Sequence, residues 1–156
     1  MHQEALLCIR ICTVHKITIL YKNRRKDYLL KLVAKWLKIG SPKVDLKISK
    51  KEAKYHEIIS GNFHIKGGTK SQKLKRLECM LMKETQNGIL EPVQTVTTIL
   101  MSKQLKEEED LIVPFTFQLS PELEPSSQRC TYKFHTNLIF ADNKVSDDHD
   151  ELVVKK

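Results

Sequence analysis

The chain has no apolar run long enough to cross a bilayer. Its most apolar stretch, MHQEALLCIRICTVHKITILY, is interrupted by Arg10, His15 and Lys16, and it has neither a basic start nor a small-residue cleavage site. A protein that is neither exported nor anchored is expected, and therefore a cytoplasmic one. Cysteine is scarce: Cys8, Cys12, Cys79 and Cys130 are too few and too scattered for a disulfide framework, so all four read as reduced thiols. Five prolines and five glycines exclude a large low-complexity region. With 156 residues, 40% of them hydrophobic and 29% charged, the chain suits one globular domain.

Sites of chemistry are also missing. No Gly-Lys-Ser/Thr occurs, so there is no Walker-type phosphate loop. The acidic stretch DNKVSDDHD lacks the Asp, Gly and Glu spacing of a calcium-binding EF-hand and reads as a solvated loop. Cys8, Cys12 and His15 have no second ligand pair at zinc-finger distance. Cys79 and Cys130 fall in strand patterns, where a buried inert thiol is the default. No catalytic residue, cofactor, metal or small-molecule substrate follows from these residues, and the protein reads as a non-enzyme.

A positive excess is what the chain does have. Its formal charge is +8, and residues 1 to 30 carry Arg10, Lys16, Lys22, Arg24, Arg25 and Lys26 against only Glu4 and Asp27. The run KNRRK contains no aromatic residue on which a base could stack, which disfavours nucleic acid as the partner.

From residue 43 onward the hydrophobic period is two. KVDLKIS places Val44, Leu46 and Ile48 on one face, IISGNFHIK places Ile59, Phe63 and Ile65, and KLKRLECMLMKE places Leu77, Cys79 and Leu81. VQTVTTILM switches its apolar face midway, which predicts a bulge or a strand buried on both sides. LIVPFTFQL offers Val113, Phe115, Phe117 and Leu119, with Pro114 marking an edge or bulge. TYKFHTNLIF gives Tyr132, Phe134, Thr136, Leu138 and Phe140, and ELVVK closes the set. About seven strands separated by turn-rich stretches such as SPELEPSSQ and ADNKVSDDHD predict an all-β sandwich.

One amphipathic helix is predicted at LLKLVAKWLKIG, with Leu30, Val33, Ala34 and Leu37 at helical spacing and Gly40 and Pro42 as its stop. Its polar positions, Lys31, Lys35 and Lys38, together with Trp36, form a candidate partner-binding face. In GNFHIKGGTK the adjacent Gly67 and Gly68 lie between alternating runs, which predicts a tight hairpin turn needing positive φ. His64 and His135 both fall opposite the aromatic face of their strands, and their meeting across a sheet is open.

The ordered elements KIGSPKVDLKI, GNFHIKGG, LKRLECMLMKET, VPFTFQLSPELEP, SQRCTYKFHTNL and DELVV together resemble the N-terminal half of the sporulation-control SpoOM family over roughly residues 30 to 154. The resemblance implies an arrestin-like, immunoglobulin-related sandwich that regulates entry into sporulation through protein partners and carries no catalytic residues. Against that family, residues 1–28 are an extension, expected not to be natively translated, residues 29–156 form the domain, and the second family domain is absent.

The expected function is a regulatory, non-catalytic protein-binding module that presents edge strands, loops and the helix to its partners. Homo-oligomerisation is left open. The alternative is a basic module that binds nucleic acid or an anionic membrane through YKNRRK and the lysine-rich helix face.

Overall fold

The computed structural model describes residues 40–156. The predicted helix, with Lys31, Lys35, Trp36 and Lys38, and the extension before it lie outside the described residues. From residue 43 the structure is all-β.

Among the described residues nine strands form, in chain order β1 (Lys43–Ile48), β2 (Glu52–Lys54), β3 (Ile58–Lys66), β4 (Gln72–Thr85), β5 (Leu90–Leu100), β6 (Gln104–Leu105), β7 (Asp110–Gln118), β8 (Cys130–Phe140) and β9 (Val145–Lys155). The two that period-two patterning does not reveal, β2 and β6, are too short to show a period. β1, β3 and β7 make a three-stranded antiparallel sheet in that order. The larger sheet runs β2-β9-β8-β4-β5, with β6 also pairing β4. All its pairings are antiparallel except β2 with β9.

The apolar faces of the two sheets share one core, because most of the alternate residues on each sheet's inner face are apolar. Val44, Leu46, Ile59, Phe63 and Ile65 come from the small sheet, and Leu74, Leu77, Leu81, Phe134 and Leu138 from the large one. Phe117 of β7 meets Phe134 of β8 edge to face across the layers, with ring centroids 6.0 Å apart and planes at 83°. The predicted inward residues of β8, Tyr132 through Phe140, are all buried.

The face switch foreseen in VQTVTTILM is a pair of bulges. Register slips between Cys79 and Met80 and between Leu81 and Met82, as β4 pairs with β5, so Val96 and Val93 are the extra residues. Each bulge resets the alternation, and Val93, Val96 and Ile99 all pack against the core at a spacing of three.

Gly67 and Gly68 do not form a hairpin. They carry the chain from β3 in one sheet to β4 in the other, and neither has positive φ. Their role is close approach: Gly67 N–H donates to the Glu109 carbonyl at 2.7 Å, and Glu108 N–H donates to the Gly68 carbonyl at 3.1 Å. A Cβ on Gly67 would lie 2.2 Å from the Lys106 carbonyl oxygen. Gly88 is a positive-φ turn glycine (φ 73°), and its N–H donates to the Thr85 carbonyl between β4 and β5.

The acidic stretch is also corrected. Only residues 141–144 turn, with Asn143 at φ 62°, and Asp147 through Asp150 continue as β9, which runs on through ELVVK as one strand. Alternation along β9 is real, but its first inward residues are Ser146, Asp148 and Asp150 rather than apolar ones.

Candidate functional site

Two of those three polar residues, Ser146 and Asp148, bridge the seam between the sheets. The outer edge of β1 points its N–H groups at β9: Leu46 N–H donates to Asp148 Oδ2 at 2.7 Å, and Val44 N–H donates to Ser146 Oγ at 3.3 Å. On the opposite seam, Gln94 of β5 donates through Nε2 to the Gln118 carbonyl at 2.9 Å and accepts from Ser120 N–H at 3.1 Å. Amide and carboxyl side chains thus do across the layers what backbone pairing does within them.

Next to Asp148, Asp150 has a buried Oδ2 with no hydrogen-bond partner. Burial, then the charge of Asp148 and a hydrogen bond to it, then the charge of Asp45, push its carboxyl up to about 6, while Lys51 pulls the other way. A folded-state value above the unfolded one favours the protonated form in the native chain. The stabilising contribution is complete below about pH 4 and is lost as pH rises through about 6. With Asp150 partly open to solvent, Asp150→Asn is expected to stabilise the domain by about 1 kcal/mol at pH 7. Chemical denaturation at pH 7 and pH 4 checks this, and the gain should vanish at the lower pH.

Among the described residues, the two thiols and the Tyr132 phenol are buried. Burial pushes the Cys79 thiol up to about 11, against the Thr136 hydroxyl, which donates to Cys79 Sγ at 3.5 Å. Cys130 is also buried and unbridged. Burial raises the Tyr132 phenol above its usual range, and its hydroxyl donates to the Glu124 carbonyl at 2.8 Å.

The histidine expectation resolves into a different pair. His64 lies on the outer face of the small sheet between Asp45 and Ile112, beside an open depression of about 250 Å³, and His135 lies on the other sheet. The ring that meets His135 is that of His149. Nothing in the DDHD motif pointed to this, because the stretch carries no apolar alternation to mark it as a strand.

Among the described residues the outer strand of each sheet edge is blunted. Side chains of β9 occupy β1, β2 has three residues, β5 carries Pro92 and two bulges, and β7 carries Pro114. The outer face of the large sheet is open, and the small sheet also exposes Ile58 and Ile112. One lateral row on the large sheet's outer face places Leu100, Arg76, Ile139 and Val145 side by side on β5, β4, β8 and β9. Leu100 is 83% exposed and Val145 46%, and Arg76 is ion-paired to Glu78 at 2.7 Å.

The sequence profile of the family described as SpoOM protein matches residues 30–156. The chain belongs to the SpoOM family. Among solved structures, this SpoOM chain is similar to Spo0M, sporulation control protein, from Bacillus subtilis, with a TM-score of 0.64 and 22% identity over 76% of the chain and 51% of that one. The chain therefore spans about half the length of that relative. It also resembles a Niemann-Pick type C2 protein from the Japanese carpenter ant in fold, with a TM-score of 0.52 at 10% identity over 74% of the chain and 93% of that one. No curated protein sequence matches. Among the described residues no helix is long and apolar enough to cross a membrane.

Proposed function

We propose that this SpoOM chain is a regulatory, non-catalytic protein-binding module of sporulation control that works through protein partners in the cytoplasm, its domain an arrestin-like, immunoglobulin-related sandwich. Family membership and the likeness to a sporulation control protein support the process. The observation that carries partner binding is the lateral row on the outer face of the large sheet, in which Leu100 and Val145 are exposed, Ile139 is half-buried and Arg76 lies between Leu100 and Ile139. Exposed apolar side chains on a rigid sheet favour association, and blunted edges direct that association to a face rather than to strand addition.

A charged face tests this. The L100E/V145E double variant keeps the core intact, because both side chains are exposed. It is expected to retain its melting temperature while losing partner recovery by about tenfold or more in affinity capture from sporulating cells. Undiminished capture would overturn the assignment of the face.

A further inference from the structure

Two rows from the apolar one, on the same outer face, Met80 of β4 stands opposite His135 of β8, and His135 stands opposite His149 of β9. The inward neighbours Cys79, Leu81, Phe134 and Thr136 are buried, so alternation turns Met80 and His135 outward. The rings of His135 and His149 stack with centroids 4.4 Å apart and planes at 22°. His149 is exposed and His135 half-buried, which leaves the pair open to solvent. The adjoining rows bring Asn137 with Asp147 on one side and Lys133 with Glu151 on the other. Lys133 is ion-paired to Glu84 at 2.5 Å, which offsets its charge.

Among the described residues there is no group of three His, Cys, Asp or Glu side chains suited to a metal. A smaller donor set is present. Backbone pairing holds two imidazoles side by side, and a shared ion would require both rings to turn about their side-chain torsions from stacked to convergent, with a nitrogen of each at about 2 Å from it. The thioether alongside is a soft donor that favours copper(I), and imidazole suits copper in both common oxidation states. A two-imidazole surface site imposes little geometry, so intrinsic affinity decides, and copper stands at the head of that order. We propose that His135 and His149, with Met80 beside them, bind a single copper ion on the outer face of the large sheet.

The test uses the full-length chain with H2Q, C8S and C12S, which removes the N-terminal amine–imidazole chelate and the thiols that would compete for the metal. Copper(II) is titrated against a chromophoric chelator, and electron paramagnetic resonance reports the nitrogen donors. One ion per chain with two nitrogen ligands is expected, weakened about tenfold or more by H135Q and by H149Q and unchanged by H64Q on the other sheet. M80L is expected to lower copper(I) affinity while leaving copper(II) affinity as it was. Since His149 is exposed, H149Q keeps the metal-free melting temperature, so its loss of copper reads the site rather than the fold. Binding by H135Q and H149Q equal to the parent, or an equal loss in H64Q, would overturn the proposal.

Discussion

Replacing Gly67 by alanine is expected to destabilise the domain by about 3 kcal/mol or more. The added methyl would sit 2.2 Å from the Lys106 carbonyl oxygen and 2.9 Å from the Glu109 nitrogen, both backbone atoms that no rotamer change can move. Relief requires the 106–109 segment to retreat, which breaks the bonds between Gly67 N–H and the Glu109 carbonyl and between Glu108 N–H and the Gly68 carbonyl. That segment also positions β6, whose Leu105 is buried, so the damage spreads into the core. Gly88→Ala is the control: it meets nothing within 4 Å and is left only with the strain of φ 73°, about 1–2 kcal/mol. Urea unfolding of the two variants separates the cases. A Gly67 variant no less stable than the Gly88 one would show that the close approach is not what this glycine serves.

Phe134→Ala is expected to cost about 3–5 kcal/mol, a large share of the roughly 5–15 kcal/mol by which a domain of this size is stable. Phe134 is fully buried at the centre of the large sheet, and its edge-to-face contact with Phe117 is one of the places where the layers grip each other. Truncation removes the ring's burial and leaves a cavity that two rigid sheets cannot collapse to fill. Thermal unfolding checks it against Val145→Ala, an exposed position where the change should stay within about 0.5 kcal/mol. A small effect of Phe134→Ala would mean that the sheets do not share a tightly packed core.

Where burial is apolar, the fold was legible. The alternation from Tyr132 to Phe140 and from Val44 to Ile48 names the inward residues one by one, because period-two burial and apolar identity coincide there. The break in β5 was legible as a phase change, though not its direction, since which valine bulges is decided by β4. β9 was missed over Ser146 to Asp150 because its inward side chains serve the edge of β1, a polar task that leaves no hydrophobic trace. Gly67 and Gly68 were misread because adjacent glycines suit both a turn and a close approach, and what decides between them lies about forty residues away at Lys106 to Glu109. His149 was out of view for the same reason as its strand. The exposed row on the large sheet joins residues from four strands, so no local stretch could announce it.

The central claim is that the chain acts in sporulation through a partner held on the outer face of the large sheet. Spore counts in the source organism, with its own copy replaced by the L100E/V145E variant, test it most directly. The prediction is a sporulation defect matching deletion of the gene, with the variant present at normal abundance. Normal spore counts from the variant, in a strain where deletion does change them, would contradict it.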